Sequence, residues 1–190
     1  MQKLIIIMLL FSTVISTVSC KKNKEPIAAN PRQTILDSID RDFTKEISNG
    51  SAGAYAVGYY FNTISKGVIN QLVLKTPSIG LYKIVIENTD TNAKDSVSMN
   101  INAADTGKTI YSGITPMIAN AGDYFRITFN DLDKPQYQYL RVGGMAQTYG
   151  DIKLRWYAAQ AQATSSTIDG DSFLSVNYTF GGVGFTYVKD

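Results

Sequence analysis

The chain has 190 residues, 44% of them apolar and 18% charged, which supplies core material for one domain and excludes a disordered polyelectrolyte. A net charge of +2 with scattered Lys and Arg lacks the basic stripe of a nucleic-acid binder, so no nucleic-acid partner is expected. With no His and a single Cys, Ser-His-Asp and Cys-His catalysis, the common zinc sites and an intrachain disulfide are excluded too.

Met1 to Cys20 reads MQKLIIIMLLFSTVISTVSC. Lys3 makes a short positive start, and Leu4 to Ile15 is an apolar run broken only by Ser12 and Thr13. The run falls short of the roughly 20 apolar residues that cross a bilayer and fits the apolar region of a secretory leader. Ser19-Cys20 at its end resembles a bacterial lipobox, with Thr17 where the commonest pattern has Leu. The resemblance implies that residues 1–19 are a lipoprotein signal peptide. It also implies that Cys20 carries a diacylglyceryl thioether and that its freed amine takes a further acyl chain. Several acyl chains moor a protein stably where one would not. Lys21 stands where an Asp would resemble an inner-membrane retention signal, which points to the outer membrane of the envelope. KKNKEP after the cysteine and the Tyr/Asn/Thr-rich remainder resemble small Bacteroidota lipoproteins. Surface-exported members of that group often carry an acidic run here, whereas this chain has Lys21, Lys22 and Lys24. A periplasmic and a surface face both stay open.

Residues 20–33 are polar, contain Pro26 and Pro31, and read as a flexible lipidated tether. Residues 34–190 form the domain. Ile35, Leu36, Ile39 and Phe43 fall at helical spacing, with Thr34 as cap and Asp37 three residues on, which predicts a short N-terminal helical segment within TILDSIDRDFTKEI. After the breaker cluster Ser48 to Gly53 the period changes to two. Alternating runs include Tyr55–Tyr59, Tyr82–Glu87, Ser96–Asn102, Tyr124–Phe129, Ile152–Tyr157, Leu174–Phe180 and Phe185–Tyr187, with an apolar run at Ile69–Leu74. Gly, Asn, Asp and Pro clusters separate them. Alternation of this kind suits antiparallel strands with one buried face. No long helical pattern interleaves them, so the expected fold is all-β: an antiparallel β-sandwich, jelly-roll-like in arrangement.

Three kinds of side chain are candidates for chemistry. Among carboxylates, the domain offers few Glu, Glu46 and Glu87, and most Asp fall in turns, where local hydrogen bonding explains them; Asp123 and Asp151 are a pair that could in principle face each other as in a glycosidase. For metal, Asp131 and Asp133, and again Asp169 and Asp171, place oxygens two residues apart, which suits a structural calcium ion and equally suits a turn. No cofactor is expected; a calcium ion is the one alternative these residues leave open. Among 12 Tyr, Tyr137, Tyr139, Tyr149 and Tyr157, with Arg155, are the candidates for a ligand-binding surface. A tyrosine ring stacks on sugar C–H faces and its hydroxyl hydrogen-bonds, although Tyr is also simply a good strand former. Trp156 shares parity with Ile152 and Leu154 and reads as core.

Together these features read as a lipid-anchored, non-catalytic envelope protein. Its partners are the membrane, through Cys20, and a carbohydrate or another envelope protein. The alternative is a structural or adhesion subunit whose edge strands pair with neighbours; an Asp/Glu hydrolase ranks third.

Overall fold

The computed structural model describes residues 32–48, 55–131, 134–140, 148–161, 167–169 and 182–190. In chain order the elements are β1 (Arg32–Thr34), α1 (Ile35–Asp42), β2 (Thr44–Ser48), β3 (Tyr55–Thr63), β4 (Gly67–Leu74), β5 (Gly80–Asn88) and β6 (Ala93–Ile101). They continue with β7 (Ile110–Ala119), β8 (Tyr124–Asp131), β9 (Gln136–Leu140), β10 (Thr148–Tyr149), β11 (Ile152–Ala161), β12 (Thr167–Asp169) and β13 (Val183–Lys189). The expected strand at Leu174–Phe180 lies outside the described residues.

The molecule is an all-β antiparallel sandwich with one short N-terminal helix, as the alternation predicts. The larger sheet runs β10-β11-β3-β8-β5-β6, with β12 also on β11; the smaller runs β1-β13-β4-β7; β2 and β9 form a separate ribbon. The chain changes sheet between β3 and β4, β4 and β5, β6 and β7, and β7 and β8. The period of two then sorts each strand. Val57, Tyr59 and Phe61 of β3, Phe125, Ile127 and Phe129 of β8, and Ile84 and Ile86 of β5 point inward and are buried. Leu72, Phe185 and Tyr187 meet them from the smaller sheet. The rings of Phe61 and Phe185 bridge the two sheets, stacked at 4.2 Å, and Phe125 stacks on Phe61 at 5.1 Å.

The helix is shorter than its sequence pattern. Ile35, Leu36 and Ile39 are fully buried as expected, but the helix stops at Asp42, where Phe43 turns extended and its N–H closes on the Ile39 carbonyl. Residues 44–48 leave as β2 because β9 offers a full antiparallel partner, from Thr44 opposite Leu140 to Ser48 opposite Gln136. Thr34 makes no side-chain cap bond; it belongs to β1, paired with Thr186. The helix lies on the outer face of the smaller sheet, where Gly184 lets Leu36 approach: a Cβ at 184 would sit 2.8 Å from that of Leu36.

Two irregular strands escape a simple alternation rule. β7 carries Gly113 and Pro116, yet pairs with β4 at both ends. Ile114, Thr115 and Pro116 together span what Asn70 alone spans on β4. An edge strand with such a bulge accommodates a proline that has no N–H to give. The N–H of Thr115 turns instead to Asp95 Oδ2 of β6 at 2.9 Å, tying the two sheet edges together. In β11 the register shifts between Leu154 and Tyr157: Leu154 stands opposite Phe61 and Tyr157 opposite Tyr59. Two residues, Arg155 and Trp156, therefore oppose Tyr60 alone. The phase counted from Ile152 and Leu154 does not carry across this bulge, and the side chains of Trp156 and Tyr157 lie outside what is described.

Candidate functional site

The aromatic surface expected from Tyr137, Tyr139, Tyr149, Arg155 and Tyr157 does not assemble as an outward patch. Tyr139 is fully buried and its hydroxyl donates to Asp40 Oδ1 at 3.1 Å. Tyr137 is half-buried, with Lys45 Nζ 5.0 Å from its ring centroid. Tyr149 is buried in β10, and its backbone carbonyl accepts from Gln33 Nε2 at 2.7 Å. Arg155 lies on the outer side of the larger sheet, where its Nε donates to Asn62 Oδ1. Tyr157 stands in β11, and its side chain lies outside what is described. The reason for the difference is the β2–β9 ribbon. It folds back onto α1, so the strand face bearing Tyr139 meets a carboxylate rather than solvent.

Asp40 is the hub of that contact. Besides Tyr139 it accepts Lys75 Nζ at 2.8 Å and Lys45 Nζ at 3.1 Å. Partial burial pushes the Asp40 carboxyl up, but the hydrogen bonds and charges of Lys75 and Lys45 outweigh it and hold the group below its ordinary 3.8. Burial, with Asp40 beside it, pushes the Tyr139 phenol up, so it stays a donor. A carboxyl depressed by folding contributes stability above its unfolded pKa and loses it as pH falls through the folded value. The sandwich is therefore expected to weaken below about pH 4. Asp40→Asn should flatten that acid limb and lower neutral-pH stability by about 1–3 kcal/mol, by leaving Lys75 under-paired. Urea unfolding of both proteins from acid to neutral pH measures this; superimposable profiles would remove Asp40 from the account.

The other sequence candidates divide in the same way. Asp131 ends β8 and Asp169 ends β12, with their side chains, like Asp133 and Asp171, outside what is described. Among the described residues no three His, Cys, Asp or Glu side chains gather as metal ligands would. Cys20 also lies outside the described residues. Asp123 and Asp151 sit at one end of the sandwich, their backbone carbonyls bonded to the adjacent residues Thr63 and Ile64. Each carboxylate is occupied as a loop clamp. Asp123 Oδ2 accepts from the Asn88 side chain at 3.0 Å and the Asn120 N–H at 2.9 Å. Asp151 Oδ1 accepts from Ser65 at 2.7 Å and Lys189 at 2.9 Å.

One concave surface among the described residues is a feature that sequence reasoning missed. Helix α1 covers only one end of the smaller sheet's outer face. Arg32, Thr34, Gln71 and Tyr111, one or two from each of β1, β4 and β7, line an open groove of about 440 Å³ on the same sheet. Register explains their company: Thr34 stands opposite Thr186, Thr186 opposite Gln71, and Gln71 opposite Gly113. The Thr186 hydroxyl donates to Gln71 Oε1 at 3.4 Å. A Cβ at Gly113 would meet nothing within 4 Å, so the floor beside Tyr111 is low. Tyr111 is 45% exposed, and the Arg32 guanidinium stands 5.9 Å from its ring centroid. A flat ring, a planar cation, an amide and a hydroxyl on a rigid sheet equip the groove to bind a polyhydroxylated ring. Tyr111 was legible only as one member of the pattern Ile110, Ser112, Ile114 against Tyr111, Gly113. The two glycines and the proline around it hide that pattern.

No family model matches the chain, and no curated protein matches it either.

Proposed function

We propose that the chain is a lipid-anchored, non-catalytic envelope protein, moored by acyl groups on Cys20, whose sandwich binds carbohydrate in the groove around Tyr111. The observation that carries the binding half is the Tyr111 ring, nearly half exposed in a groove that it shares with Arg32, Thr34 and Gln71. The anchoring half rests on the lipobox-like leader and on the tether. The first described strand begins at Arg32, so residues 21–31 allow a reach of about 36–40 Å from the lipid. Among the described residues no helix is long and apolar enough to cross a membrane. Lys21 after the cysteine favours the outer membrane.

The test uses the full chain purified from membranes in detergent. Intact mass should show the acyl chains on Cys20, and a polysaccharide panel should retain the protein. Tyr111→Ala should lower glycan affinity about tenfold, equivalent to about 1.4 kcal/mol, with unfolding unchanged. An unmodified thiol overturns the anchor; a chain retained by none of the polysaccharides overturns the binding reading.

A further inference from the structure

Arg32 stands apart from the other described arginines. Arg41 pairs with Asp42, Arg126 with Glu87, and Arg155 donates to Asn62. Arg32 rests against the Tyr111 ring, and among the described residues no carboxylate pairs with it. The four strands of the smaller sheet contain no acidic residue at all. Their only other charge, Lys189, is paired with Asp151 at 2.9 Å. Most carboxylates around this sheet are otherwise engaged. Asp40 holds Lys45 and Lys75, Asp42 holds Arg41, and Asp95 caps the Thr115 N–H; Asp37 is exposed in the first turn of α1.

We propose that the groove selects anionic sugar units, with Arg32 as the anion contact. This rests on the carbohydrate reading above and adds the charge of the ligand. A guanidinium presents parallel N–H donors that match a carboxylate or a sulfate in a bidentate fork. The exposed guanidinium lies over the Tyr111 ring at 5.9 Å from its centroid, a contact that favours one orientation and so reduces the ordering cost of binding. The ligand's ring lies along Tyr111, its hydroxyls meet Gln71 and Thr34, and its acidic group meets Arg32. A neutral sugar would leave that cation uncompensated in the groove.

Matched pairs test the charge by itself: polygalacturonate against its methyl ester, and dextran sulfate against dextran, each titrated into the full chain in detergent. The first pair probes a carboxylate, the second a sulfate. The expected result is tighter binding of at least one charged member than of its neutral twin. Arg32→Gln should erase that preference, costing affinity for the charged member about tenfold more than for its neutral twin. Lys83→Gln, on an exposed site of the larger sheet, controls for general charge attraction and should change nothing. Equal binding of charged and neutral twins, or equal losses in the Arg32 and Lys83 variants, overturns the proposal while the carbohydrate reading stands. Binding of none of the four polymers overturns both.

Discussion

Phe185→Ala is expected to cost about 3–5 kcal/mol of folding stability, the range for removing a large aromatic from a closed core. The ring is fully buried and stacks on Phe61 at 4.2 Å, which itself stacks on Phe125 at 5.1 Å. These three rings belong to β13, β3 and β8, so the column crosses from one sheet to the other. β13 is also central to the smaller sheet, flanked by β1 and β4. The void left by the ring cannot be filled without moving a strand that has partners on both sides. Equilibrium denaturation of the wild type and the variant reads the difference directly. A loss under about 1 kcal/mol would mean that the interior collapses readily and that the column does not hold the sheets together.

Gly58→Ala is expected to be nearly as damaging, although it adds a single methyl group. Gly58 lies in β3, paired on one side with Thr128 of β8 and on the other with Ala158 of β11. A Cβ at this position would fall well inside the contact radius of the Ile127 carbonyl oxygen. That oxygen is main chain in a strand paired on both sides, so it cannot rotate away as a side chain would. Relief requires parting β3 from β8 at the middle of the larger sheet, and the cost should meet or exceed the roughly 1–3 kcal/mol of ordinary overpacking. Gly113→Ala is the matched control, because its Cβ would meet nothing within 4 Å. Equal thermal unfolding of the two variants would show that the β3–β8 approach has room for a methyl group.

The two variants also show how much of the molecule its residue order reveals. Both are Gly→Ala in a strand, and nothing in the neighbouring residues separates them. What separates them is the strand that passes alongside, which is far away along the chain. The same holds for the tyrosines. Tyr139 has the polar-alternating surroundings of an exposed strand residue, yet Asp40, 99 positions away, receives its hydroxyl. Tyr111 sits in a stretch with two glycines and a proline nearby and attracted no strand reading, yet it lines the groove. The bulge in β11 is a third case, since an inserted residue leaves no mark in a pattern of two until its partner strand is known.

Read alone, the residue order determines the short helix, the all-β class and the inward face of each regular strand. These follow from local periodicity, because a strand's side chains alternate whatever its partner. It also limits the chemistry by leaving out histidine. Tertiary structure alone decides which strands are neighbours, where β2 abandons the helix, where β7 and β11 bulge, and which outward faces stay uncovered. Those outcomes depend on contacts between residues distant in the chain, and solvent reaches a face only where no other element lies over it. Arg32 and Tyr111 meet for that reason: they are 79 positions apart along the chain, on opposite edges of one sheet, and share its open side.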